Sequence, residues 1–455
     1  IWKEIPEDES PIGYIGNGIH VPTFLARNWL SVLDDPGWHN ELLNVEYWQR
    51  IDGIPDPTFW SVRHALKSAL LKNCFRQTEL RCRRYGYSEP QTRCMTERLK
   101  HGEDVMVIAV ARRFATYKRA TLMFEDPDRL ARLLNDPKRP VLLIFAGKAH
   151  PHDEPGKELI RKLHEFSSQP RFLGKVILLE GYDLALARSL VTGADLWVNV
   201  PEYPLEASGT SGMKAGINGV INLSILDGWW ADGYNGRNGW ALQPHASEQH
   251  GDVRRRLEAQ ELLDTLEHQC IPMYFDKSMG YSERWVKTAK ESMKSIIPHF
   301  SAQRMVMDYL RQYYFPASEK YRRLAENAAA GAAQLARWKQ DVRRHWHGVS
   351  VRRLDQAPAS LKQGEKLNIR IGVRLNGLKS EDVMVECLMG ESAPGKAFQV
   401  LATHRLQPVA EESGETIFEA AFTPAPSGLV AYQVRAYPHH SLLCNRFDLG
   451  FLKWV

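Results

Sequence analysis

The sequence predicts an α/β protein: a doubly wound, Rossmann-like parallel sheet, followed by helices and a small antiparallel β domain. Three observations carry this. Continuous apolar runs of strand length recur at 104–111, 141–146, 176–180, 195–200 and 219–224, and such runs mark parallel strands buried on both faces. Helical patterns alternate with them, around 158–166 and 184–191, in the βαβ rhythm of an open sheet covered by helices. After residue 347 the pattern changes to short β-branched or alternating runs at 367–373, 383–386, 418–422 and 429–434, separated by Gly, Pro and charged turns. The expected domains are residues 1–345 and 346–455.

Composition narrows the classes. At 455 residues, 44% hydrophobic and 25% charged, the chain can bury two or three sizeable cores and is not a disordered tract. Its 59 basic and 54 acidic residues leave +5, spread along the sequence, so neither a nucleic-acid-binding tail nor a membrane patch is implied. No apolar run approaches the roughly 20 residues of a spanning helix. The six cysteines, at 74, 82, 94, 270, 387 and 444, form no C-x-x-C pair, which points to reduced thiols in a cytoplasmic protein.

Taken in order, residues 12–20 read as a strand running into a Gly-rich turn, where Asn17-Gly18 favours positive φ and His20 closes the segment. Periodic apolar residues from Thr58 to Leu99 indicate helices broken near 87–90. The run 104–111 then delivers Arg112-Arg-Phe-Ala-Thr-Tyr-Lys-Arg119 at a strand's carboxyl end. That edge is where open α/β sheets bind ligands, and four cations there suit an anion, with surface solubility as the plain alternative. The loop Gly147-Lys-Ala-His-Pro-His-Asp153 pairs two histidines with a carboxylate, but no further ligand of matching character is evident and no metal site is expected. Beyond Asp252 the pattern is helical to about Trp346, the Ala-rich 325–336 segment included.

The most informative stretch is Glu206-Ala-Ser-Gly-Thr-Ser-Gly-Met-Lys214. It lies between two expected strands and should open a short helix. Gly209 and Gly212 allow close backbone approach, Ser208, Thr210 and Ser211 offer hydroxyls, and a helix start favours an anion. A nucleotide loop places Lys directly after its last glycine, whereas here Met213 intervenes. Two readings of Lys214 stay open on these residues: a Schiff-base lysine for pyridoxal phosphate beside a phosphate cradle, and an ordinary helix cap with an exposed lysine.

This segment resembles the cofactor-lysine segment of the α-glucan (glycogen, starch and maltodextrin) phosphorylases. The likeness continues through 218–228 and Trp229-Trp-Ala-Asp-Gly-Tyr234, closest to the short bacterial form, and spans roughly residues 11–315. It implies a GT-B type C-terminal lobe, pyridoxal 5'-phosphate on Lys214, and a retaining transfer of glucosyl units between an α-1,4-glucan and inorganic phosphate. By matching position, Arg113 and Lys118 would hold the substrate phosphate, and Arg112, where many relatives carry lysine, would stand near the cofactor phosphate. Thr210, Ser211, Gly212 and Tyr182 would complete the cofactor site. Glu206, Ser208, Gly209, Asn17 and His20 would meet the sugar, although His20 departs from the animal enzymes. The resemblance also implies an N-terminal lobe upstream of Ile1 that closes the crevice against water, and it leaves room for a homo-oligomer. Two other readings share parts of the pattern: a nucleotide-sugar glucan synthase, which would not need Lys214, and a non-catalytic glucan-binding fragment.

Overall fold

The computed structural model describes residues 5–6, 9–100, 104–246, 250–356, 358, 360–362, 364–391, 398–425, 428 and 430–455. Two compact units emerge: one is Ile15–Asp308, and the other takes in Tyr309–Val455 with the described residues of Ile1–Tyr14.

The first unit is built on six strands: β1 (Met106–Ala111), β2 (Val141–Ala146), β3 (Val176–Leu179), β4 (Leu196–Asn199), β5 (Ile221–Ile225) and β6 (Gly239–Leu242). They pair in parallel in the order β3-β2-β1-β4-β5-β6, the doubly wound order whose switch point lies between β1 and β4. Every residue of β1 to β5 is buried, because apolar side chains on both faces meet covering helices. The expected helix pair is Asp56–Arg84 and Glu89–Lys100, broken at Gly86 with φ +71°. The loops leaving β1, β2 and β3 end on aspartate caps. Asp126, Asp153 and Asp183 accept hydrogen bonds from the N–H groups of Arg129, Gly156 and Leu186 at 2.9, 2.9 and 2.8 Å. Asp153, the carboxylate of the two-histidine loop, is thereby spent on its helix.

Two expectations need correction. Residues 12–20 form no strand; a single bridge joins Ile19 to Ser301, and neither Asn17 nor Gly18 takes positive φ. Gly18 is required by contact instead, since a Cβ there would stand 2.3 Å from the Ser301 carbonyl oxygen. The Ala-rich helix is also interrupted. Phe315–His345 breaks at Glu326–Ala329, where Asn327, Ala328 and Ala329 all take left-handed φ.

The second unit carries a seven-stranded antiparallel sheet: β7 (Ser350–Arg353), β8 (Leu367–Arg374), β9 (Val383–Glu391), β10 (Gln399–Glu412), β11 (Glu415–Phe422), β12 (Ala431–Pro438) and β13 (Lys453–Trp454). Its order is β13-β12-β9-β10-β11-β8-β7. The long strand β10 pairs with β9 through Gln399–Leu406 and with β11 through Gln407–Glu412, and a bulge interrupts each ladder, at Leu401 and at Val409. One core cluster draws on both halves, with Ile369 and Ile371 of β8 and Val385 and Cys387 of β9, so the sheet closes over a shared interior. Leu429, expected in a strand, lies outside the described residues.

Candidate active site

The loop after β1 sorts its four cations into different tasks. Arg112 is buried; its Nη2 donates to the Val198 carbonyl and its Nη1 to the Lys118 carbonyl at 3.3 Å, while its Nε has no partner. Burial draws its pKa down to about 10, against the opposing pull of the Glu206 carboxylate. Lys118 forms an ion pair with Glu206, the side chains being 13% and 5% exposed. Arg113 is exposed, and among the described residues it is joined to no carboxylate. Arg119 is a strut: it bonds the Val200 and Pro201 carbonyls at 2.9 and 2.7 Å and pairs with the fully buried Glu258, which Arg254 also grips at 3.0 Å. The anion reading of this motif therefore falls on Arg112, Arg113 and Lys118.

The loop after β4 brings its carboxylate to the same place. The Glu206 N–H donates to Asp227 Oδ2 at 3.0 Å, and the Gly228 N–H donates to Asp227 Oδ1 at 2.9 Å. Asp227 thus stitches the loop before the lysine helix to the turn after β5. The Trp229 N–H closes the stitch on the Ser208 carbonyl at 2.8 Å. The Ser208 hydroxyl is buried with no partner. Gly209 takes φ +81° at the cap of the helix Thr210–Gly216. At seven residues this helix has little dipole to offer. Ser211 Oγ accepts from Trp197 Nε1 at 3.3 Å, and Gly212 packs where a Cβ would stand 2.8 Å from the Trp229 ring.

Lys214 is half-buried, with Nζ 4.5 Å from the centroid of the Phe24 ring and no carboxylate partner among the described residues. Burial holds its pKa below the ordinary lysine value. Tyr182 is partly buried against the cluster containing Leu186; burial raises its phenol pKa and the Arg112 charge opposes that. His20 Nδ1 shares a hydrogen bond with Thr23 Oγ1 at 2.7 Å. Asn17 is exposed, its carbonyl accepting from Arg304 at 3.1 Å. Among the described residues neither is hydrogen-bonded to the cluster around Glu206.

Phe24 and Asp227 carry parts of this site that the sequence did not assign. Asp227-Gly228 had a visible signal, an acidic residue before a glycine held at φ +56°. Phe24 had none, because its partner lies far along the chain. A cleft of about 950 Å³, lined in part by Trp240, Phe275, Arg284 and Lys287, contains none of these residues.

Fold and site together define a Rossmann-type α/β protein that gathers Arg112, Lys118 and Glu206 at the carboxyl edge of its parallel sheet, with the half-buried Lys214 on the helix that follows β4. Comparison with known families narrows the class. Residues 93–231 match the family model described as "Carbohydrate phosphorylase", and residues 346–455 match "Glycogen phosphorylase C-terminal domain". The chain is 37% identical to maltodextrin phosphorylase of Thermococcus litoralis over its whole length, covering 53% of that protein. It is 34% identical to glycogen phosphorylase of Mycobacterium tuberculosis across 99% of this chain and 53% of the relative. Glycogen phosphorylase of Aquifex aeolicus is 40% identical across 68% of this chain and 44% of the relative. This chain belongs to the α-glucan phosphorylase family, and it spans about half the length of the curated relatives it matches.

Proposed function

We propose that this chain is the cofactor- and phosphate-binding half of an α-1,4-glucan phosphorylase, a glycosyltransferase that releases α-glucose-1-phosphate from maltodextrin or glycogen with retention. One observation carries the reading. Among the described residues only three buried side-chain polar atoms lack a hydrogen-bond partner, and two of them, Arg112 Nε and Ser208 Oγ, belong to the loops after β1 and β4 that also hold Lys118 and Glu206. Buried polar atoms are nearly always satisfied, so orphans gathered at one edge suit a polar ligand.

Pyridoxal 5'-phosphate fits these residues. Lys214 offers an amine without an acidic partner, Arg112 a buried cation, and Thr210, Ser211, Gly212 and Tyr182 the surrounding wall. When bound, the cofactor supplies a phosphate whose second pKa near 6 suits proton exchange at neutral pH. Arg113 and Lys118 hold the substrate phosphate. Glu206 accepts hydrogen bonds from sugar hydroxyls, helped by Ser208, Gly209, Asn17 and His20, and no carboxylate nucleophile is called for. Before substrates arrive Lys118 and Glu206 neutralise each other; phosphate must draw Lys118 away before Glu206 is free for the sugar.

The other wall of the crevice, in a GT-B arrangement, is assigned to the half of such a protein that lies outside this chain. The C-terminal domain is assigned residues 346–455, a reading supported by the family match over the same residues. No described helix is long and apolar enough to cross a membrane. A cytoplasmic setting is supported by six free cysteines.

The test uses the full-length protein containing this chain. It should release glucose-1-phosphate from maltodextrin only when phosphate is present, and borohydride should fix a pyridoxyl group on the Lys214 peptide. A protein that yields no such adduct and instead consumes a nucleotide sugar would be a synthase.

A further inference from the structure

Asn218 lies in the turn between the lysine helix and β5 and is fully buried. Its side chain uses its hydrogen-bonding capacity on segments far apart in sequence. Nδ2 donates to the Lys214 carbonyl at 2.9 Å and to the Phe24 carbonyl at 2.8 Å. Oδ1 accepts the Ala26 N–H at 2.8 Å. Its own carbonyl accepts from Arg63 Nη1 at 2.9 Å, so the long helix Asp56–Arg84 braces it from behind. No other residue is hydrogen-bonded to both the Phe24 and the Lys214 backbone among the described residues.

We propose that Asn218 is a positioning residue for the Lys214 amine: by bonding both backbones it holds the Phe24 ring against the lysine side chain. The inference rests on Lys214 being the reactive amine of the proposed function. Shielding matters because the neutral amine is the form that attacks a carbonyl: the Phe24 face attracts the ammonium, but the ring also keeps water from the amine, and that desolvation disfavours the charged form. Two donors and one acceptor at this reach are what a primary amide provides. Aspartate would set oxygens against two carbonyls and add a charge, confusing the readout, so alanine is the better probe.

A second probe comes from the backbone. Ala26 sits at φ −68°, ψ 138° and Leu25 at φ −69°, ψ 127°, conformations that proline and the residue before it adopt without strain. Ala26→Pro deletes the N–H that anchors Oδ1 while leaving Asn218 in place.

The measurement is made on the cofactor-free full chain by reductive ¹³C-methylation, following the Lys214 signal by NMR and assigning it by its loss in Lys214→Met. In Asn218→Ala, competitive labelling at pH 8 should show the Lys214 amine about three- to tenfold less reactive than in the native chain, as an ammonium returned to water titrates higher. Ala26→Pro should move it the same way, by less. Folded variants with native Lys214 reactivity would overturn the proposal and leave Asn218 a merely structural residue. Should Asn218→Ala fail to fold, the Ala26→Pro result decides. The readout needs no cofactor, so a missing pyridoxyl adduct would sink the functional reading without touching this result.

Discussion

Two buried clusters of charge in this protein are finished to different degrees. In the β-rich unit Arg435 is wholly buried, and its guanidinium bonds Glu386 at 2.9 Å and Glu9 at 3.1 Å, while the Tyr437 hydroxyl donates to Glu386 at 2.8 Å and Arg446 reaches Glu9 at 3.1 Å. Donors and acceptors there answer one another. At the edge of the α/β sheet Arg112 is also buried, yet its Nε and the Ser208 hydroxyl have no partner. Both arrangements remove charge from water at a cost. The first answers each charge among its own described residues, and the second is the one we propose a ligand completes.

Removing Lys214 should have the largest effect on function. Lys214→Met in the full-length protein should abolish the borohydride-fixed adduct and phosphorolysis together, measured by peptide mapping and glucose-1-phosphate release. It should also change the pH dependence of stability. Because burial lowers the Lys214 pKa in the folded state, the unfolded chain binds more protons between that value and the ordinary lysine value. Native stability therefore rises with pH through this window. The methionine variant should lack that rise in urea titrations at successive pH values.

The finished cluster should be the more costly to break for stability. Arg435→Met leaves Glu386 and Glu9 with the half-exposed Arg446 as their remaining cation, and breaking a buried pair costs up to about 3–5 kcal/mol. Denaturant midpoints of the second unit's transition would report it, and an unchanged midpoint would show that the network is idle. Lys118→Ala should instead raise the phosphate concentration needed for turnover by roughly 10- to 150-fold, the worth of a charge-assisted bond, while cofactor retention holds. Equal loss of both would mean the wrong phosphate has been assigned to Lys118. The smallest effect has the most telling sign. Ser208→Ala should leave the ligand-free protein as stable as before or up to about 1 kcal/mol more so, since it deletes an orphan, yet weaken ligand binding. A loss of stability without ligand would show that Ser208 has an internal partner after all.

The sequence exposed the α/β half well for a physical reason. Strands buried on both faces need unbroken apolar runs, and β1 and β2 appear at 106–111 and 141–146 inside the runs that announced them. It hid β10 because that strand is mostly exposed from Gln399 to Glu412, with Leu406 its one buried residue, so no run of apolar residues marks it. In the site, Lys214 and Glu206 were legible as chemistry within nine residues. Asn218 was not, since its bond to Ala26 spans 192 positions and only the fold sets them side by side. The cation motif was legible as charge but not as a division of labour, because Arg119 meets Glu258 across 139 positions.

The long strand β10 has a consequence for insertions and deletions. Its two ladders each contain one surplus residue, Leu401 against β9 and Val409 against β11, both largely exposed at 46% and 55%. Side chains in a strand alternate between faces, so a surplus residue resets which face the following ones address. Each half-sheet thus has its own reading frame, and the bulge is where the frame is set. Deleting Val409 itself would leave Pro408 opposite Phe418 and Ala410 opposite Ile417 and merely straighten the ladder, whereas deleting the paired Ala410 with Val409 still bulged would turn the residues beyond it over against β11 while the pairing with β9 kept its phase.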